Sequence, residues 1–150
     1  MVGAWVIGMY GRAHLTRNDR GPMEHYSDVI THPKFRMWLR PDGTVQVVWV
    51  PRTTALLEDA TATLEAMAQL TGGRRRPLLV DMRDTGPQDR RTRAEWSSRS
   101  DLQSAVALIV GTPLSRMMGN LLLRVTKPPF PIRLYDNEAS AVAWLQKFVG

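Results

Sequence analysis

The sequence contains no cysteine, which excludes disulfide bonds, thiol catalysis and metal sites that need thiolate ligands. Histidine is also scarce. His14, His25 and His32 are its three copies, and they are too widely spaced to form a metal-binding pair on one helix. No glycine-rich phosphate loop is present either. We therefore expect no metal ion and no other cofactor.

Long apolar runs are absent as well, since none approaches the roughly 20 residues that a membrane-spanning helix needs. The first ten residues, MVGAWVIGMY, have no basic region before them and no small-residue cleavage site after them, unlike a signal peptide. We therefore expect a cytoplasmic protein. Its 150 residues suit one domain with its own hydrophobic core.

Lysine is rare, so the net charge of +6 comes mainly from arginine. Eight arginines lie between Arg74 and Arg99, but four acidic residues are interspersed among them. Such a mixture of signs is typical of a solvated, internally paired surface rather than a nucleic-acid track. Nucleic acid is therefore not the expected partner.

Residues 1–34 carry the weakest structural signals. The apolar residues of Trp5–Tyr10 are interrupted by glycine, and Arg17–Pro22 is typical of a turn or linker. We expect an N-terminal extension over 1–34 that adds a strand or stays mobile, followed by one domain over 35–150. The alternative is a segment for oligomerisation, including a homodimer, or for partner binding.

The remaining sequence alternates strand and helix patterns. Phe35–Leu39 and Thr44–Val50 flank a Pro-Asp-Gly turn, which indicates a β-hairpin. Thr53 or Thr54 is expected to cap the helix that follows, and Gly72-Gly73 to end it. The apolar runs Pro77–Met82 and Ala105–Gly111 indicate buried strands, and Phe130–Tyr135 an edge strand.

Three more helices are expected: one after Pro87, one opened by Thr112-Pro113, and one capped by Asp136 or Asn137. The middle one carries six apolar residues that we assign to its inner face: Leu114, Met117, Met118, Leu121, Leu122 and Val125. The predicted fold is α/β, a mixed sheet of about five strands with an N-terminal hairpin, a parallel core and about four helices.

From Phe35 onward the chain resembles the STAS domain (sulfate transporter and anti-sigma-factor antagonist), particularly uncharacterised bacterial members of its SpoIIAA-like branch. The segments that carry the resemblance are Leu78–Arg83, Ala105–Asn120 and Pro129–Tyr135, with Glu138-Ala139 and Ala143–Leu145. It covers about three quarters of the chain. The resemblance implies a small cytoplasmic regulatory module that docks onto a partner, often an anti-sigma kinase.

In the antagonists of this family, a serine that follows an aspartate at a helix start is phosphorylated to control docking. The matching place here reads Asp89-Arg90-Arg91, and the nearby Thr85 and Thr92 do not fit the pattern. Arg90 would therefore present positive charge where phosphorylation would add negative charge. The resemblance then implies a partner surface that is acidic.

Two chemical roles are open for the acids after the central strand. Asp81 and Asp84 could act as a general acid/base pair, or Asp81 could pair with Arg83 while Asp84 caps a turn. No nucleophile or histidine stands at motif spacing, so no catalytic residue is assigned.

A second feature is the helix start Thr112–Arg116, directly after a buried strand. If the strands ending near Arg83 and Thr112 are parallel neighbours, both segments meet in one crevice. We predict anion binding by Thr112, Ser115 and Arg116; the alternative is that Thr112 caps the helix and Arg116 is solvated. The predicted partner-binding residues are Arg83, Asp84, Asp89, Arg90 and Arg93. The alternative is a small-molecule-binding protein or enzyme with an apolar pocket beside Asp81 and Asp84.

Overall fold

A computed structural model describes residues 28–150, so the predictions made for the preceding segment, including His14 and His25, lie outside the described residues. The six strands are β1 Val29–Thr31, β2 Phe35–Leu39, β3 Val45–Trp49, β4 Arg76–Asp81, β5 Gln103–Ile109 and β6 Ile132–Tyr135. The four α-helices are α1 Leu57–Thr71, α2 Arg90–Ser97, α3 Pro113–Thr126 and α4 Glu138–Leu145, and a 3₁₀ turn at Gln146–Phe148 follows α4.

All six strands form one mixed sheet in the order β1-β2-β3-β4-β5-β6. The first three are antiparallel neighbours, whereas β3 to β6 run parallel to one another. The predicted α/β fold, with a hairpin followed by a parallel core and four helices, is confirmed. The sheet has one strand more than the five expected, because β1 is only three residues long and pairs with β2 at the edge.

The hairpin between β2 and β3 turns where the sequence indicated. Asp42 Oδ1 accepts a hydrogen bond from the Thr44 backbone N–H at 2.9 Å, and Gly43 has a φ of 87°, which glycine adopts without strain. This turn joins β2 to β3, and β3 lies between β2 and β4 in the sheet.

The two faces of the sheet carry different helices. On one face α1 and α2 cover a core that contains Phe35, Met67 and Leu78, all at most 2% exposed. On the other face α4 packs Trp144 and Leu145 against β4 and β5. None of the helices between residues 28 and 150 is long and apolar enough to cross a membrane.

The start of α1 differs from the prediction that Thr53 or Thr54 caps it. The helix begins at Leu57, and Asp59 Oδ2 accepts the Leu56 backbone N–H at 2.8 Å. Thr53 Oγ1 instead donates to the Val50 carbonyl at 2.6 Å. The Asp59 carboxylate thus supplies the half of a capping box that accepts the N–H of the residue before the helix, and neither threonine acts as the cap.

The prediction that the apolar residues of α3 face inward is wrong. Leu114, Met117, Met118, Leu121, Leu122 and Val125 are between 39% and 74% exposed, and no residue of the helix is buried. The reason is position: α3 packs mainly on the edge strand β6 rather than over the centre of the sheet. Its least exposed residues are Gly119 and Leu123, and a Cβ at Gly119 would lie 2.5 Å from Leu134 Cδ2.

Candidate functional site

An open cleft of about 830 Å³ lies where β4 and β5 end and α3 begins. These two strands are parallel neighbours, with Asp81 opposite Ile109, so the segments after them leave the sheet at the same edge. The cleft is lined by Arg83, Val110, Gly111, Thr112, Pro113, Arg116, Met117, Met118, Asn120, Leu121, Arg124 and Asp136. The expected meeting of Arg83 and Arg116 in one crevice is therefore observed.

Arg83, which lines this cleft, forms a two-point ion pair with Asp81. Arg83 Nε donates to Asp81 Oδ1 at 2.9 Å, and Arg83 Nη2 donates to Oδ2 at 2.6 Å. The hydrogen bond and charge of Asp81 raise the pKa of the guanidinium. A carboxylate with both oxygens occupied in this way is poorly placed to exchange protons with a substrate. The geometry therefore favours the counter-ion role of Asp81 over the acid/base role.

Asp84 does not line the cleft and is exposed to solvent. Its backbone has a φ of 61°, and its carbonyl accepts the Arg52 N–H at 2.7 Å. This backbone contact joins the loop after β4 to the loop after β3. The role of Asp84 in this structure is thus in the turn rather than in a pocket beside Asp81.

The start of α3 has the predicted cap. Thr112 Oγ1 accepts the Ser115 backbone N–H at 3.1 Å and donates to Ser115 Oγ at 2.8 Å. Pro113 has no N–H, so among these first positions the Leu114 N–H is left to meet an anion. The anion-binding role of Thr112 and Ser115 stays a prediction, and their observed contacts are those of a helix cap.

Arg116 is the charged side chain of the predicted anion site. It is about half exposed, and its Nη1 lies 3.9 Å from Asp136 Oδ2, whose side chain is 72% exposed. A contact of that length between exposed groups is weak and can be exchanged for another carboxylate. Arg124 lies two turns further along the helix, lines the same cleft and has no ion-pair partner among residues 28–150.

The rest of the predicted partner-binding loop lies at the start of α2 and does not line the cleft. Asp89 caps the helix, with Oδ1 accepting the Thr92 N–H at 2.8 Å, and this hydrogen bond lowers the pKa of the carboxyl. Arg93 donates to the Gln88 carbonyl. Arg90, in contrast, is exposed at the first helical position. Its side chain is the one in this group that is left available to a partner.

Neither threonine of this loop substitutes for the missing switch serine. Thr92 is 1% exposed, so its hydroxyl cannot be reached without opening α2. Thr85 Oγ1 donates to the Met82 carbonyl at 2.8 Å within the turn. The Thr85 hydroxyl therefore belongs to the turn, and the Thr92 hydroxyl is buried without a hydrogen-bond partner among residues 28–150.

Residues 37–149 match the model of the family described as "Domain of unknown function (DUF7793)". This match covers more than half of the chain. The chain belongs to the DUF7793 family. No curated protein matches it.

Solved structures identify the fold of this DUF7793 protein. It is similar to the crystal structure of an uncharacterized protein of the DUF3478 family, with a SpoIIAA-like fold, from Shewanella loihica PV-4. The TM-score is 0.54 at 14% identity, covering 74% of this chain and 91% of the other. The predicted STAS or SpoIIAA-like fold is confirmed. A protein of unknown function from Arthrobacter sp. FB24 matches at 26% identity over 73% of this chain and 90% of the other, with a TM-score of 0.28, too low for a comparison of folds.

Met117, Leu121 and Arg124 were not predicted as site residues, although all three line the cleft. The signal was present, because α3 combines an apolar face with basic residues and contains no acid. The same pattern is typical of a helix that covers its own core. Periodicity reports that a helix has an apolar face but not which surface covers that face.

Proposed function

We propose that this DUF7793 protein is a non-enzymatic, regulatory interaction module that docks an acidic partner surface. The docking surface comprises the loop after β4, with Arg83 and Arg90, and the N-terminal part of α3, with Arg116. Given the SpoIIAA-like fold, an anti-sigma kinase or a related regulator is the class of partner we propose.

One observation carries this proposal: three arginines line a single open cleft in which the lining contributes one acid, Asp136. Arg83 is already neutralised by Asp81, so Arg116 and Arg124 supply the excess positive charge. A carboxylate on a partner can displace the loose contact between Arg116 and Asp136. Clefts with charge of one sign attract partners of the opposite sign.

The start of α2 supports the same proposal. Asp89 caps the helix, and Arg90 is the next residue. Arg90 therefore carries a permanent positive charge at the place where the STAS anti-sigma-factor antagonists carry a phosphorylatable serine. The affinity of docking at Arg90 would depend on the charge of the partner surface and not on phosphorylation of this chain.

The proposal is tested by quantitative affinity capture from a lysate of the source organism. Arg90→Glu and Arg116→Glu each replace an attraction by a repulsion, so we expect each to lower recovery of the same partner by about tenfold or more. Arg74→Glu is the matched control, because Arg74 is also exposed but lies after α1. Equal recovery by all four proteins would refute the proposal.

A further inference from the structure

The exposed apolar residues of α3 form a continuous stripe with no cover from residues 28–150. We call this set, Leu114, Met117, Met118, Leu121, Leu122 and Val125, the apolar stripe. It spans eleven residue steps of the helix, or about 16 Å. An exposed apolar patch of this kind marks a surface where another molecule binds.

The apolar stripe is continuous with the arginine side of the cleft. Arg116, Asn120 and Arg124 are spaced by four residues and therefore lie on one side of α3. Met117 and Leu121 belong to the stripe and also line the cleft. A molecule that fills the cleft must contact both the arginines and the apolar residues.

From this continuity we infer that α3 binds an amphipathic helix of a partner protein, with apolar residues on one face and acidic residues along one flank. This inference rests on the proposed function and deepens it, because it specifies the partner's secondary structure and its side-chain pattern. Helices bind grooves through apolar anchors spaced three, four and seven residues apart, and a 16 Å stripe accommodates about three such turns.

Charge complementarity favours an acidic partner helix over two segments of this protein itself. These two segments are a second copy of α3 and the apolar N-terminal segment. A second copy of α3 offers no carboxylate to Arg116 and Arg124, since the helix contains no acid. The chain's own apolar segment at Trp5–Tyr10 lies within residues 1–18, which contain Arg12 and Arg17 but no Asp or Glu. An acidic flank is the feature that complements the arginines, and neither of these segments has one.

Shape distinguishes a protein helix from a lipid surface. A basic, apolar helix face would also suit an anionic bilayer, which is flat at this scale. The arginines of α3, however, line a concave cleft of about 830 Å³ between the helix and the ends of the strands. A protruding helix with side chains that enter the cleft fits this shape better than a bilayer.

The inference is tested with a displayed library of 14-residue helical peptides, probed with the full-length protein. The peptides keep four leucines at helical spacing, and their flanks are randomised among Glu, Lys and Ser. We expect the protein to enrich peptides with Glu on one flank by about tenfold or more over those with Lys. The double variant Arg116→Glu/Arg124→Glu should reverse this preference, and the double control Arg74→Glu/Arg75→Glu should keep it.

The apolar half of the surface is tested with Met117→Ser/Leu121→Ser. These side chains are 61% and 56% exposed, so we expect Tm to stay within about 2 °C of the parent. The affinity for a selected acidic peptide, measured by fluorescence anisotropy, should fall by about tenfold or more. An unchanged affinity, or a library in which no peptide is enriched, would refute the inference.

Three other outcomes would replace the inferred occupant. Binding to phosphatidylglycerol vesicles that Met117→Ser/Leu121→Ser abolishes, without peptide enrichment, would identify a bilayer. A dimer in sedimentation equilibrium that the same variant dissociates would identify a second copy. Peptide binding that requires Trp5→Ser/Ile7→Ser in the full chain would identify the N-terminal segment.

Capture that depends on Arg90 and Arg116 but not on Met117 and Leu121 would leave the proposed function intact and refute this inference alone.

Discussion

His32 gives the protein a pH-dependent stability that can be worked out from its contacts. The side chain is 7% exposed and stacks on Phe35, with ring centroids 4.3 Å apart. Its Nδ1 accepts the Lys34 backbone N–H at 3.0 Å, and its Nε2 lies 3.8 Å from Asp59 Oδ1. The ring therefore fits this site in the neutral form, with the proton on Nε2.

Acidification works against this arrangement. Burial is the largest influence and lowers the pKa of His32 below 6.5, the charge of Asp59 raises it, and Lys34 lowers it further. Protonation would turn Nδ1 into a donor that faces the donor N–H of Lys34. Asp59 compensates little, because its other oxygen already accepts from Lys34 Nζ at 2.6 Å.

The sign of the effect follows from linkage. Since the pKa of His32 is lower in the folded chain than in the unfolded chain, the unfolded chain takes up the proton first as the pH falls. The stability contributed by neutral His32 is complete above pH 6.5 and is lost as the pH falls from there toward the folded-state pKa. The loss reaches at most about 1.4 kcal/mol per pH unit.

The prediction is measured by urea unfolding between pH 7.5 and 5, with His32→Asn as the comparison. Asparagine keeps an acceptor near the position of Nδ1 but neither titrates nor stacks as well, so we expect it to cost about 1 kcal/mol at pH 7.5. The two stability curves should converge as the pH falls. His14 and His25 are present in both proteins, so any contribution from them cancels in the difference. Parallel curves would refute the role given to His32.

Two further predictions concern the packing of α3 and the ion pair at the cleft. Met67 is fully buried, so Met67→Ala should lower the free energy of unfolding in urea by about 2–5 kcal/mol. Met118 is exposed, so Met118→Ala should change the same free energy by less than about 0.5 kcal/mol. Equal losses would mean that the apolar stripe is covered in the free protein. Asp81→Asn should strengthen binding of an acidic peptide, because it frees the Arg83 guanidinium. A weaker affinity in fluorescence anisotropy would contradict the counter-ion role of Asp81.

The sheet could be predicted from the sequence because its signals are local. The Pro-Asp-Gly turn needs only its own residues, and the apolar runs that became β4 and β5 are buried on both faces, as parallel strands are. Strand β1 could not be located within the predicted extension over 1–34, because three residues give no period and its pairing depends on the edge of β2.

The candidate site was only partly predictable, because the start of α3 depends on local residues but its orientation depends on a contact that is distant in sequence. Thr112 and Pro113 locate the helix start from local chemistry, and parallel neighbouring strands bring Arg83 and Arg116 together. The inward face of α3 depends instead on how close the helix comes to β6, which Gly119 permits against Leu134. That contact is distant in sequence. It turns Gly119 and Leu123 toward the sheet and leaves the larger apolar residues outside.

The position of α3 also changes which part of the strand-end edge is chemically available. Asp81 is held by two hydrogen bonds from Arg83, so neither group is free to act alone. Charge without a close partner among residues 28–150 is found on α3 instead, at Arg116 and Arg124, beside apolar residues that the described part of the chain leaves exposed to water. Binding there would release that water and pair the arginines at the same time, whereas binding at the Asp81–Arg83 pair would first have to break it. We therefore expect a partner to attach at α3 rather than at the Asp81–Arg83 pair.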